Sequence, residues 1–397
     1  MPRALVMCFA DPAVSPRPRR VLRLLAEQGF AVDLLSYETV ESLPGDGRKF
    51  VLPRDAEGGV GAFRRRVASL AYFAARRVLH QDGLRDWLAL RRLGLTPHVA
   101  PLAAQAYDVI VVEDLYLLPL AMRVRGKARV LFDAREYYPR QNDENRWFRL
   151  SERPERERLC RTLLPRCDAV MTVSPGLVDA YRDEFGVQAE LVMSAPWYRA
   201  LSPTAVPPDR LRMVHAGIAN PNRQLEKMID ITEALDERFS LDFYLTGSPD
   251  YIAVLRARAA SGSGRVRVLP PVAFDDIVPT LNGYDIGLYY LEPIAFNLRH
   301  SLPNKLFEFI QARLMVAIGP SPDMARVVRE FGCGAVAERF DEAAMVAMLR
   351  GLGEADVVRA KERAHAAAAA LCFEKESEKV RRILARLVPS VAAGSAA

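Results

Sequence analysis

The sequence predicts an α/β protein of two halves, each built on a parallel sheet. Short apolar runs alternate with amphipathic stretches, as in 4–10, 18–28 and 30–36, and strand–helix–strand spacing of this kind is what parallel pairing requires. The chain has 397 residues, enough for two domains of ordinary size. A proline-rich stretch, SPTAVPPD at 202–209, interrupts the alternation before it resumes at 212–215, so the domain boundary is placed there.

Composition narrows the function classes. Half of the residues are hydrophobic (50%) and 26% are charged, a globular balance. A net charge of +6 suits an anionic ligand or an anionic membrane surface without demanding nucleic acid. RNP-type aromatic runs, zinc-finger spacing and basic zippers are absent from the sequence. The five cysteines (Cys8, Cys160, Cys167, Cys333, Cys372) are scattered, with no C-x-x-C pair, as expected for reduced thiols in a cytosolic protein. The run 4–10 meets Asp11 and does not read as a signal peptide, and no apolar run approaches the length of a membrane span.

In the first half, 4–10 reads as a strand buried on both faces and broken by Asp11-Pro12. Val21, Leu22, Leu24 and Leu25 face inward from a helix that Gly29 stops, and 30–36 is the second strand. Residues 39–60 read as loop and turn. The stretch 61–93 is an arginine-rich insertion: Phe63, Val67, Leu70, Ala74 and Val78 recur at helical spacing, and Leu84, Trp87, Leu88 and Arg91 continue the pattern in a second short helix. Such a hairpin either docks on an anionic bilayer, each basic residue near the surface adding about 1 kcal/mol, or packs on its domain with a solvated arginine face. Strand 109–112 ends in Glu113-Asp114, and 130–132 ends in Asp133-Ala134-Arg135-Glu136. Open parallel sheets bind ligands beyond the carboxyl ends of their strands, so these acidic endings mark a candidate site. A mobile loop with a helix at 155–164, a strand at 169–173, a helix opened by Ser174-Pro175-Gly176 and a strand at 191–193 complete this half.

The second half repeats the alternation. Strand 212–215 leads through a glycine loop, 216–223, into a helix that runs to 234. Strand 241–245 ends in Thr246-Gly247-Ser248 and precedes a helix to about 260. Strand 266–269 ends in Pro270-Pro271-Val272, and 285–290 is a further strand. Pro303-Asn304-Lys305 opens a helix, because proline is tolerated where its missing N–H has no intrahelical partner. That helix carries Leu306, Phe307, Phe309 and Ile310 on its apolar side, runs to about 313 and delivers the strand 315–318. Glu308 lies among these apolar residues, where a carboxylate is costly unless it reaches water, a partner or a ligand. A strand at 335–337, helices at 341–353, 354–371 and 373–387, and a disordered tail from 388 end the chain.

The segment PNKLFEFIQARLMVAIGP, 303–320, resembles the donor-site segment of GT-B-fold glycosyltransferases of the retaining, family-4-like type (glycosyltransferase group 1). The resemblance implies two Rossmann-like domains facing a cleft. Residues 1–201 are then an acceptor domain, 202–209 the linker and 210–372 a nucleotide-sugar donor domain, with a helix at 373–388 crossing back to the first domain. In that family the glutamate at Glu308 holds the nucleotide ribose, and a second glutamate stands eight positions earlier, where this chain has His300. The Asp133–Glu136 loop resembles the family's aspartate-x-histidine-glutamate loop, with Arg135 in the histidine's place. The implied catalytic set is Arg135, Glu136, His300 and Glu308. The implied donor-binding set is Gly217, Arg223, Gly247, Val272, Arg299, Asn304, Lys305 and Glu308. The family arginine after the glycine of the 216–223 loop is Ile218 here, and the family lysine further on is Arg223. The loop 9–20 resembles the family's acceptor loop and, with Asp114, makes Asp11, Arg17 and Arg19 the acceptor-binding candidates; Arg17, Arg19 and Arg20 also read as a solvated helix start.

The implied reaction moves a sugar from a nucleotide diphosphate sugar to a hydroxyl acceptor with retention. The implied acceptor is a glycan or lipid-linked glycan in cell-surface polysaccharide synthesis. A departing diphosphate needs developing negative charge stabilised, for which Arg223, Lys305 and the helix start at 303–305 are the candidates. With no D-x-D triplet and no His/Cys cluster, neither a catalytic metal nor a cofactor is expected. The expected location is cytoplasmic, peripheral on the inner membrane face if the 61–93 helices bind lipid. The departures at Arg135, Ile218 and His300 keep two rivals open: a nucleotide-sugar epimerase of the same fold, and a non-catalytic GT-B scaffold that binds nucleotide or glycan.

Overall fold

The computed structural model describes residues 1–13, 15–37, 47–52, 72 and 81–389. The first helix of the basic insertion, the turns expected within 38–46 and 53–60, and the tail from 390 lie outside the described residues. The chain forms two compact units. The first comprises Met1–Val173, Leu177–Val192 and the chain from Lys379; the second comprises Ser174–Gly176 and Met193–Glu378. The proline-rich 202–209 therefore lies inside the second unit.

The first unit holds a parallel seven-stranded sheet: β1 (Arg3–Met7), β2 (Ala31–Ser36), β3 (Lys49–Val51), β4 (Val109–Val112), β5 (Arg129–Ala134), β6 (Ala169–Thr172) and β7 (Glu190–Leu191). The strand order is β3-β2-β1-β4-β5-β6-β7. Its central strands are apolar on both faces because helices cover both, as parallel sheets require; Val6 sits beside Leu34 on one side and Val111 on the other. Two stretches that read as loop are ordered. Lys49–Val51 is too short to show a pattern, yet it pairs with Leu34–Ser36 as an edge strand. Arg146–Ser151 is a helix whose N-cap, Asn145, accepts the N–H groups of Trp147 and Phe148. The second helix of the basic insertion is Asp82–Arg92. Arg158, from the helix Arg153–Leu163, reaches Asp82 at 3.1 Å and Asp86 at 2.7 Å and ties that helix to the unit.

The second unit holds a parallel six-stranded sheet: β8 (Leu211–Ala219), β9 (Phe239–Gly247), β10 (Val266–Leu269), β11 (Ile286–Tyr289), β12 (Met315–Ile318) and β13 (Gly334–Val336). Its order is β10-β9-β8-β11-β12-β13. Met213, Phe243, Ile286 and Leu288 belong to one core cluster, while Val214, Phe309, Val316 and Ile318 belong to the other. Each sheet reverses its order once, between β1 and β4 and between β8 and β11, and ligands of such sheets bind beyond the carboxyl ends at that point.

The helix Asn304–Gln311 lies close on β11. A Cβ at Gly287 would stand 2.3 Å from Cγ of Phe309, so this strand position admits no side chain while the ring stays in place. Gly287→Ala is expected to destabilise the fold by about 1–3 kcal/mol, read as a lower urea midpoint. A midpoint equal to that of wild type contradicts this packing.

Candidate functional site

In the second unit the site begins with a strand that runs further than its sequence indicates. β8 continues through Gly217 to Ala219, because Ile218 pairs with Thr246 and Ala219 with Gly247. Gly217 is thus part of a strand rather than a loop, and its need for glycine is steric. A Cβ there would lie 2.1 Å from Cε and 2.8 Å from Nζ of Lys305. The lysine stem crosses the strand where the side chain is missing.

Lys305 is the second residue of the helix Asn304–Gln311, and Pro303 is its N-cap in extended backbone (φ −72, ψ 152) rather than a first-turn residue. Among the described residues the ammonium makes no hydrogen bond and no ion pair within 4 Å. Burial draws its pKa down; Glu308, one turn on, opposes this, and Arg223 adds to it. Arg223 ends the turn Pro221–Arg223, which Asn220 caps by accepting the N–H of Asn222 at 3.0 Å. Its guanidinium likewise has no partner among the described residues.

A third nitrogen base lies close to both cations. His215, on β8, is 1% exposed. Its Nδ1 lies 3.0 Å from the carbonyl of Leu288, its ring stacks on Tyr289 at 5.9 Å, and its Nε2 has no hydrogen-bond partner. Burial lowers its pKa to about 3, and Lys305 and Arg223 push the same way. The ring is therefore neutral at physiological pH: Nδ1–H donates to Leu288 and Nε2 keeps its lone pair. Sequence reasoning treated this residue only as the end of a strand. The available signal was a lone histidine in an apolar strand, in phase with Gly217.

The remaining donor-side candidates fall as follows. Gly247 has φ +105, a conformation L side chains rarely adopt, and a Cβ there would meet the Ala219 carbonyl at 2.8 Å. Glu308 is buried. The His300 Nδ1 is 3.1 Å from Asp323, and its ring lies 4.7 Å from that of Phe296, so this histidine is held rather than loose. Arg299 is exposed, and its carbonyl accepts the Ser321 hydroxyl at 2.7 Å. Asn304 and Val272 are half-buried, and Ile218, at the family's arginine position, is 53% exposed. The structure thus joins Gly217 and Lys305 directly and puts Arg223 and Glu308 within electrostatic reach of the lysine.

In the first unit, charged groups gather at the carboxyl ends of β4 and β5. Arg17 lies buried with its fork on Asp133, Nε to Oδ2 at 2.6 Å and Nη2 to Oδ1 at 2.7 Å, and Nη1 donates to the Val192 carbonyl at 3.1 Å. This corrects the reading of Arg17 as a solvated helix start. Burying Asp133 demands a cation, and the helix start supplies it. Arg135 donates to Asp114 at 2.9 Å and to the Glu113 carbonyl at 3.2 Å. Asp114 also accepts the Phe9 N–H at 2.8 Å, and Asp11 accepts that of Ala13 at 2.9 Å. Arg19 is exposed, and the Glu136 carbonyl accepts the Tyr181 hydroxyl at 2.7 Å. Glu113 is fully buried, and neither carboxyl oxygen has a hydrogen-bond partner. The nearest cation is Arg135 Nη1 at 3.9 Å. Burial pushes the Glu113 pKa up to about 8, against the pull of Arg135.

Residues 13–197 match the model of the glycosyl transferase 4-like domain. The chain has the GT-B fold. Solved structures agree over nearly the whole chain. Sucrose-phosphate synthase from Thermosynechococcus elongatus superposes with a TM-score of 0.70 at 12% identity, covering 98% of this chain and 100% of that one. WaaG, a glycosyltransferase involved in lipopolysaccharide biosynthesis, gives 0.65 at 13% identity, covering 96% and 99%. Anabaena HepE in complex with UDP and glucose gives 0.64 at 11% identity, covering 97% and 100%. At these identities the structures establish the fold alone. No curated protein matches this chain in sequence. Among the described residues, no helix is long and apolar enough to cross a membrane.

Glu113 gives a pH prediction for the GT-B chain. Folded, it keeps its proton to about pH 8, against an ordinary value of 4.5, so between these values the native state binds more protons than the unfolded chain. Stability from this group is fully present below that window and is lost as pH rises through it. Glu113→Gln mimics the neutral acid. Between about pH 5 and pH 8.5 the urea midpoint of wild type is expected to fall relative to that of the variant. A difference that stays constant with pH contradicts the assignment.

Proposed function

We propose that this protein is a glycosyltransferase that moves a sugar from a nucleoside diphosphate sugar to a hydroxyl acceptor, with retention at the anomeric carbon. The acceptor class proposed is a glycan or lipid-linked glycan of cell-surface polysaccharide synthesis, which puts the enzyme on the cytoplasmic face of a membrane. The observation that carries the reading is Lys305 lying across Gly217, an unpaired cation at the carboxyl end of a switch-point strand, with unpaired Arg223 in electrostatic reach.

A diphosphate leaving group gathers negative charge as the glycosidic bond breaks, and preorganised cations in a site poor in water stabilise that charge most. Lys305 and Arg223 fill this role without a metal. The absence of a side chain at Gly217 lets a diphosphate approach the strand backbone as well as the ammonium. Glu308, one helical turn from Lys305, is the candidate to accept hydrogen bonds from ribose hydroxyls. His300, oriented by Asp323, is a candidate for holding a hydroxyl of the transferred sugar. Arg135 and Glu136 are the first unit's candidates for the sugar or acceptor. HepE, which shares the fold, was captured with UDP and glucose, and this favours a donor of that class.

Thermal stabilisation by a panel of nucleoside diphosphates and their sugars tests the reading, on wild type and Glu308→Ala. A ligand at ~100 Kd adds about 2.7 kcal/mol to the native state. One nucleotide is expected to stabilise wild type and to act much less on the variant. Incubating the matching sugar nucleotide without acceptor then separates transfer from epimerisation, and an epimerised product in that control contradicts the transferase reading. Stabilisation by no nucleotide contradicts the donor site itself.

A further inference from the structure

The same second unit carries a cavity of about 490 Å³ at the opposite edge of its sheet. It is lined from the amino ends of four adjacent strands: Arg210 and Arg212 at β8, Arg238 and Ser240 at β9, Arg265 and Arg267 at β10, and Tyr284 before β11. None of these residues belongs to the donor-side site, and the volume is that of a small-molecule pocket.

Donor accounting shows what the cavity offers. Arg212 spends Nε and Nη2 on Asp285, at 2.9 and 3.0 Å, and Asp285 is fully buried. Arg267 spends Nε and Nη2 on Asp242, at 2.8 and 2.6 Å, and Asp242 is 4% exposed. Both carboxylates are buried while the arginines reach solvent, and neither Nη1 has a partner among the described residues. Arg210 is exposed, and its guanidinium has no partner among the described residues. Arg238 is spent on Asp236, and Arg265 on carbonyls of 233, 236 and 239. Glu237, exposed on the same wall, is the acid an entering anion meets. Unspent guanidinium donors from separate arginines suit an acceptor-only group with several oxygens, which describes a phosphate better than a carboxylate.

We propose that this cavity binds the phosphate-monoester dianion of a small molecule or a lipid head group through Arg210, Arg212 and Arg267, at a site separate from the donor site. Calorimetric titration of the full chain with sn-glycerol 3-phosphate tests it, alongside sedimentation with phosphatidylcholine vesicles carrying phosphatidic acid. The variants are Arg210→Ser and Arg267→Ser, with Lys305→Met as the donor-site control. Saturable binding of either probe is expected, weakened at least about tenfold in both arginine variants and unchanged in Lys305→Met, each tenfold corresponding to about 1.4 kcal/mol. Binding of the soluble probe assigns a free metabolite; binding of vesicles alone assigns a head group. Arg210 is exposed and unpaired, so its loss leaves the fold intact. No saturable binding of either probe overturns the proposal. So does binding that survives both arginine substitutions, or binding that disappears with Lys305→Met.

Discussion

A half-buried lysine with no ion pair within 4 Å among the described residues is the constraint around which the second unit is arranged. Desolvation disfavours the ammonium, so its neighbours either tolerate the charge or a ligand completes it. Gly217 removes the side chain that would block the stem, Pro303 sets where the helix begins, and Glu308 follows one turn later on the same face. His215 fits the same logic. Two cations lie within its electrostatic reach, and its ring stays neutral by giving Nδ1–H to a backbone carbonyl. The result is a cluster of surplus positive charge at the carboxyl end of its sheet.

The first unit solves the opposite problem. Its strand ends bring carboxylates together, and arginines are drawn in to neutralise them: Arg17 on Asp133 and Arg135 on Asp114. Glu113 is left over, buried without a hydrogen bond to its carboxyl group, and it answers by keeping its proton. Removing one partner of a buried pair leaves an uncompensated charge, so Arg17 and Asp133 hold the fold of this edge whatever else they do.

The sequence displayed most of the architecture because apolar runs bounded by glycine, proline or acidic residues reveal buried parallel strands. Strands 109–112, 266–269 and 315–318 begin and end where their residues indicate. Pairing is less visible. β3 has three residues and exists through its neighbour β2, and β8 runs past its glycine because β9 continues beside it. Site residues followed the same division. Gly217, Arg223, Lys305 and Glu308 are candidates by family resemblance, but the contact of Lys305 with Gly217 joins residues far apart in sequence. The commitment of Arg17 to Asp133 was hidden for the same reason, since a helix-start arginine looks alike whether solvated or buried. The arginine cavity collects its lining from residues 210 to 284 and has no linear motif.

The central claim is that Lys305 completes its charge with the diphosphate of a bound nucleotide. A crystal structure with the nucleoside diphosphate that stabilises the chain tests it most directly. The account predicts a phosphate oxygen within about 3.2 Å of Lys305 Nζ, beside Gly217. A nucleotide bound with its diphosphate elsewhere, leaving Lys305 without an anionic partner, would contradict it.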